Sequence, residues 1–202
     1  MNENQTNNRS AGNPTPIGSY RPKLSFYHPN PKGTGSAMQL ELHPAHDRVD
    51  GSIMMSVANQ MTVGDVRGPN PTYPRFDWEN KLTVKLDFAD LSKILQVFRG
   101  ECESLEDGRG LFHRAPGFST RIVLRHLVDP VPGYSLELYR TPGKGADEVR
   151  THMLINPWEA VGLAESIAGS MAIVSFGIPM LVEHDTSAYE AEVRGMRHGA
   201  AA

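Results

Sequence analysis

The sequence predicts an α+β fold in which one unit, four antiparallel strands followed by one helix, occurs twice. In each half of the chain, short segments of alternating apolar and polar residues precede a single amphipathic segment. The two strand-to-helix junctions also align, so that Asp87 falls on Asn156 and Asp90 on Glu159. A content of 15 prolines and 19 glycines suits several strands joined by turns. Together these observations predict two repeated antiparallel four-stranded sheets, each followed by a helix.

The first unit follows residues 1–19, which are rich in Asn, Thr, Gly and Pro and are expected to form a disordered tail. Its predicted strands are residues 24–28, 37–43, 51–59 and 81–86. Residues 60–80 form a long predicted loop, and loops of this length often carry function. Asp87 is expected to cap a helix that ends near Gly100, because its carboxylate can accept the free N–H groups of the first turn.

The second unit begins after an acidic connector at residues 101–107. Its predicted strands are residues 111–114, 120–128, 134–140 and 148–155. Asn156 is expected to cap the second helix, with Pro157 at its favoured first position. Residues 160–176 are too apolar for a helix with one solvated face, so we expect this helix to pack against a second subunit.

Length and composition narrow the class of protein. A chain of 202 residues can form one domain with a shared core. The expected organisation is a domain at residues 20–180, with repeats at 20–100 and 108–177, and a C-terminal tail at 181–202. The formal net charge of −3 counts against a nonspecific duplex-DNA binder, which normally carries a basic excess. With one cysteine, no secretion signal and no uninterrupted apolar run of about 18 residues, we expect a reducing cytoplasm and no membrane contact.

The duplicated unit resembles the Whirly family of single-stranded nucleic-acid-binding proteins. It is also similar to a fused pair of units of the single-strand-binding positive coactivators of transcription. The resemblance covers about residues 20–176 and rests on the order of elements, on the polar caps Asp87 and Asn156, and on the matching apolar positions of the two helices. It implies two roughly perpendicular sheets, helices packed below them, oligomers built through the helices, and a binding groove along strand faces.

Basic and aromatic residues on the predicted strands and loops are the candidate binding residues. Single-strand binders combine positive charge for phosphates with aromatic rings for bases. Arg121 and Arg125 are the strongest candidates, because a spacing of four keeps both on one strand face, and Lys81 and Lys85 repeat that spacing. The other candidates are Arg114, Arg140, Tyr73, Phe76 and Trp78. The alternative interpretation is a solvated sheet face whose aromatic residues fill the edges of the core.

Three other motifs are weak indicators of chemistry. His43, His46 and Asp47 could ligate zinc, but no further ligand is evident and the group lies in a predicted turn. Residues 143–145 place lysine between glycines without the rest of a phosphate-binding loop. Cys102 has acidic neighbours, which disfavour a reactive thiolate.

The leading hypothesis is a non-enzymatic protein that binds single-stranded DNA or RNA largely independently of sequence, without a cofactor, in transcription, replication or repair. The alternative is a protein-interaction or assembly module that has the same fold and does not bind nucleic acid, and the net charge of −3 favours this alternative. An enzyme acting through His43, His46 and Asp47 is a third and weaker hypothesis.

Overall fold

The computed structural model describes residues 23–45, 49–65, 67, 69–143 and 147–177. The first unit consists of β1 (Lys23–His28), β2 (Ser36–His43), β3 (Ser52–Thr62), β4 (Arg75–Phe76), β5 (Leu82–Leu86) and helix α1 (Phe88–Phe98). The second consists of a short 3-10 helix (Leu105–Gly108), β6 (Leu111–Ala115), β7 (Phe118–Leu127), β8 (Gly133–Pro142), β9 (Val149–Ile155) and helix α2 (Pro157–Phe176). The tails predicted at residues 1–19 and 181–202 lie outside the described residues.

Both sheets are antiparallel, as predicted. The first sheet has the order β1-β2-β3-β5, and the two-residue strand β4 pairs with the end of β3 beyond β5. The second sheet has the order β6-β7-β8-β9. Consecutive strands are therefore neighbours in nearly every case, which is the arrangement that short connections favour. The predicted α+β fold with two repeated four-strand sheets is confirmed.

One core fills the space between the two sheets and the two helices. Alternate residues of each strand face this core, and cross-strand partners such as Leu40 and Met55, or Leu124 and Leu136, meet on the inner faces. Helix α1 contributes Leu91, and helix α2 packs against α1 while burying residues of its own. Each such apolar side chain stabilises the fold by about 1.5–3 kcal/mol relative to exposure. The buried apolar residues of both helices thus hold the two units together in one structure.

The two helices begin in the same way, which confirms the alignment of the two junctions. In α1, Asp87 Oδ1 accepts the N–H of Asp90 at 2.9 Å, and the Asp87 N–H donates to Asp90 Oδ2 at 3.2 Å. In α2, the backbone N–H and the Nδ2 of Asn156 donate to Glu159 Oε2 at 2.9 and 3.0 Å. An acidic residue at the third helical position therefore supports each cap, as in a capping box.

Each of these acidic residues, Asp90 and Glu159, also contacts a histidine side chain of the other unit. His28 Nε2 of β1 lies 2.7 Å from Glu159 Oε1 of α2, and His113 Nε2 of β6 lies 3.1 Å from Asp90 Oδ2 of α1. The other ring nitrogen of His28, Nδ1, donates to the carbonyl of Leu154 at 2.7 Å. Burial raises the pKa of Asp90, and the nearby His113 offsets part of that effect. We refer to the two contacts as the crossed pairs, because each joins the first strand of one unit to the helix of the other.

Two segments predicted to lack regular structure have some. Residues 60–80 contain β4, which pairs with β3 through Gln60 and Thr62. The acidic connector at residues 101–107 contains the start of the 3-10 helix, and Leu105 within it is fully buried in the core. In both cases a long-range contact fixes a segment whose local sequence carries no periodic pattern.

Helix α2 leaves large apolar side chains on its outer surface. Trp158 is 71% exposed, Val161 65% and Phe176 86%. By length and composition alone this helix could cross a membrane, although Leu163 and Ile167 on its opposite side are buried in the core. The outer side of α2 therefore combines exposed apolar side chains with the exposed Glu165.

Candidate nucleic-acid interface

The outer face of the second sheet brings together three of the nine predicted binding residues, Arg114, Arg121 and Arg125. Because side chains alternate along a strand, residues that are paired across strands lie on one face. The register aligns Phe112 of β6, Arg121 of β7, Tyr139 of β8 and Arg150 of β9 in a single row. We call this surface the arginine face, and its members are Phe112, Arg114, Arg121, Arg125, Tyr139 and Arg150.

Two arginines of the row cover the ring of Tyr139. The guanidinium carbon of Arg121 lies 4.5 Å from the ring centroid, and that of Arg150 lies 5.4 Å from it. Both distances are within the range of cation–π attraction. Phe112, at the β6 end of the row, is 68% exposed. The row therefore presents charged, planar guanidinium groups and one open aromatic ring.

Glu137 lies beside this row on β8 and accepts hydrogen bonds from its members. The Tyr139 hydroxyl donates to Glu137 Oε2, and Arg150 Nη2 donates to the same oxygen at 3.1 Å. Burial alone would raise the pKa of Glu137, but the Tyr139 hydrogen bond and the charges of Arg150 and Arg125 hold it below its ordinary value. The hydrogen bond to Glu137, together with burial, raises the pKa of Tyr139. The phenol therefore remains a donor.

Arg125 and Arg114 extend the arginine face on either side of the row. Arg125 is exposed and stands opposite Ser135 of β8, while Arg114 is exposed and stands opposite Ser119 of β7. Arg121 and Arg125 share a face, opposite the buried Ile122 and Leu124, as the spacing predicts.

Arg140 lies on the other face of the same strand. It is paired with Thr120 of β7 and Val149 of β9, on the inner side of the sheet. Its Nη2 donates to the carbonyl of Thr83 in the first sheet at 2.6 Å, and its guanidinium carbon is 4.4 Å from the ring centroid of Phe118. Partial burial lowers the pKa of Arg140. This side chain joins the two sheets and is not part of the arginine face.

Lys81 and Lys85 lie on the outer face of the first sheet. Lys85 is paired with Met54, and Lys81 borders a shallow depression of about 210 Å³ together with Lys23 and Glu41. Lys23 Nζ lies 3.1 Å from Glu41 Oε2. Burial would raise the pKa of Glu41, but Lys23 and His43 lower it overall. We call this surface, defined by Lys23, Lys81 and Lys85, the lysine face.

Two of the three predicted loop aromatics form a cluster with β1. The rings of Phe76 and Trp78 lie 5.6 and 6.4 Å from the ring of Tyr27, centroid to centroid. Ala37 and Ala58, which share a cross-strand row with Tyr27, are fully buried, and we attribute their burial to these rings.

The third predicted loop aromatic, Tyr73, is 71% exposed on the loop. Its hydroxyl and most of its ring are therefore accessible to solvent. It does not lie on either sheet face.

The aromatic cluster lies near the Arg150 end of the arginine face. Asn59 Nδ2 donates to the carbonyl of Arg150 at 3.5 Å, and the Asp77 N–H, between Phe76 and Trp78, donates to the carbonyl of Asn59 at 2.9 Å. Asn59 thus connects the backbone of Asp77, between Phe76 and Trp78, to the backbone of Arg150 in β9.

The histidine group suggested by the sequence is only partly described. His43 Nε2 lies 3.0 Å from Glu41 Oε1, and His46 and Asp47 lie outside the described residues. Within the part of the chain that the structure describes, no group of three or more His, Cys, Asp or Glu side chains could hold a metal ion.

Sequence reasoning did not assign a role to Glu137. Its place in the alternation with Ser135 and Tyr139 signals an outward side chain, but its contact with Arg150 depends on the strand register. Phe112 and Tyr139 stand out in the sequence as aromatic residues near the strands, and the register then places both in one row with Arg121.

Solved structures with the same arrangement of elements include Whirly proteins. The chain is similar to WHY1 from Arabidopsis thaliana with a TM-score of 0.61 and 14% identity, covering 90% of this chain and 93% of that one. It is similar to the plant transcriptional regulator PBF-2 with a TM-score of 0.59 and 16% identity, covering 77% and 82%. The MRP1/MRP2 proteins of Trypanosoma brucei give a TM-score of 0.51 at 15% identity, covering 78% and 96%. No family model and no curated protein matches the sequence. The chain has a Whirly-like fold.

Proposed function

We propose that this chain is a non-enzymatic protein that binds single-stranded DNA or RNA, largely independently of sequence. The arginine face supports this proposal most directly. It offers four arginines and an open phenylalanine on a rigid sheet, and phosphates and unpaired bases require those two kinds of group. Guanidinium planes can also stack on bases, so the row of Arg121, Tyr139 and Arg150 suits a flexible strand better than a rigid duplex.

The fold favours the same function. Among proteins with a Whirly-like fold, PBF-2 is described as a plant transcriptional regulator, and we propose a role in transcription, replication or repair for this chain as well. The net charge of −3 is compatible with such a role, because the four arginines of the arginine face form a local basic surface.

Fluorescence anisotropy with labelled single strands and the matching duplex, at low salt, tests the proposal. We expect the single strand to bind more tightly, and Arg121→Ala with Arg125→Ala to weaken that binding. Each lost phosphate contact should also lower the salt slope by roughly 0.7. A matched control is Lys93→Ala with Arg99→Ala, which removes the same charge from an exposed position of α1 and from the exposed residue that follows the helix. Equal losses in both double variants, or no preference for single strands, would argue against the arginine face.

A second candidate function is an assembly module that does not bind nucleic acid. The exposed Trp158, Val161 and Phe176 of α2 favour it, because they form an apolar surface that a partner could cover. We propose that this partner is a second copy of the chain. Assembly through α2 is compatible with strand binding, but an absence of binding in the anisotropy titration would leave only the assembly module.

A further inference from the structure

Glu137 occupies a place on the arginine face where a carboxylate opposes the binding of a phosphate. On β8 it stands opposite Val123 of β7 and His152 of β9, next to the row of Arg121, Tyr139 and Arg150. Its side chain is only partly exposed, at 14%. A negative charge in the middle of a cationic surface lowers the potential that attracts a polyanion.

The carboxylate also occupies the donors that a phosphate would use. Its oxygens accept from Arg150 Nη2 at 3.1 Å, from the Tyr139 hydroxyl, and from Ser135 Oγ at 3.4 Å. Charge-assisted hydrogen bonds of this kind are stronger than neutral ones. Arg150 and Tyr139 must therefore break their hydrogen bonds to Glu137 before they can bind another anion. Arg125 lies close enough for its charge to act on the same carboxylate.

We infer, resting on the proposed function, that Glu137 lowers the affinity of the arginine face by holding Arg150 and Tyr139 in an internal contact that a nucleic-acid phosphate must displace. The carboxylate acts as an internal substitute for the phosphate. A bound single strand can therefore dissociate readily. Only a strand that places several phosphates on the arginine face at the same time displaces the internal contact. Glu137 is thus an affinity-setting residue and contributes no attraction to the ligand.

The substitution Glu137→Gln tests this inference, because glutamine keeps an acceptor oxygen for Tyr139 and Arg150 but removes the charge. With a fluorescein-labelled oligothymidylate as probe at low salt, we expect binding to tighten by about 1.5-fold to fivefold, as the gain of one more surface charge contact would give. The salt slope should steepen by roughly 0.7, because Arg150 becomes available to one more phosphate. Glu165→Gln, at an exposed position of α2, is the control for the change in net charge.

The same substitution in an Arg150→Ala background separates competition from a general effect of charge. If Glu137 acts by occupying Arg150, most of the gain should vanish when Arg150 is absent. The inference fails if Glu137→Gln binds no more tightly than Glu165→Gln, or if its gain is undiminished without Arg150. In either case, continued weakening by Arg121→Ala with Arg125→Ala would leave the proposed function intact. A parent protein that binds no single strand would refute both.

Discussion

Glu159→Ala is the sharpest test of how the two units are held together, because it removes three polar contacts at once. Its carboxylate lies 2.7 Å from His28 Nε2 and accepts from both nitrogens of Asn156, and the side chain is 5% exposed. Losing one partner of a buried pair costs about 3–5 kcal/mol. Losing the support of the helix cap costs about 1 kcal/mol. Because a quarter of the His28 side chain is exposed, water replaces part of the lost contact, and we expect a total loss of roughly 3–4 kcal/mol.

Urea unfolding followed by circular dichroism measures this loss directly. For a chain of about 200 residues each kcal/mol shifts Tm by about 2–4 °C, so the variant should melt roughly 10 °C lower. Glu165→Ala on the exposed side of the same helix should change stability by less than about 0.5 kcal/mol. A double-mutant cycle with His28→Ala should give a coupling energy of about 1 kcal/mol or more. A loss below about 1 kcal/mol, or strict additivity, would show that this contact does not join the units.

Three further outcomes are expected. Arg140→Ala should destabilise the fold by about 1–3 kcal/mol in urea unfolding, because it leaves the carbonyl of Thr83 without its donor. The same substitution should change the salt slope of strand binding less than the loss of Arg121 and Arg125 does. The lowered pKa of Glu137 means that its charged form stabilises the folded chain; this contribution is present above its ordinary pKa and is lost as pH falls through the folded value. The difference in unfolding free energy between the parent and Glu137→Gln should therefore shrink as the pH falls from 7 into the acid range below the ordinary pKa of a glutamate. Light scattering at micromolar concentration should show an oligomer that Trp158→Ser with Val161→Ser dissociates, and a monomeric parent would contradict this expectation.

The faces of the long strands could be predicted from sequence because alternation is a local property. In β7, Arg121 and Arg125 alternate with Ile122 and Leu124, so their placement requires no knowledge of the neighbouring strands. The same rule applied strictly to β8 would have turned Arg140 inward, since it continues the series of Leu136 and Leu138.

The remaining features depend on contacts between distant parts of the chain. Strand β4 is two residues long, which is too short to show a period, and it forms only because β3 offers an edge. The contact of Glu137 with Arg150 depends on the register of β8 and β9, since a shift of one residue would put them on opposite faces. The cluster of Tyr27 with Phe76 and Trp78 likewise joins segments about 50 residues apart, at ring distances of 5.6 and 6.4 Å.

The crossed pairs make the chain behave as a dimer closed by a covalent link. His28 reaches the helix of the second unit and His113 the helix of the first, so either half expressed alone would lack a partner for both its histidine and its helix carboxylate. In separate chains these contacts would form only at sufficient protein concentration, whereas the connector at residues 101–107 fixes the local concentration of one half around the other. The joint between the two halves is symmetric, whereas their outer faces differ, because one carries lysines and the other arginines.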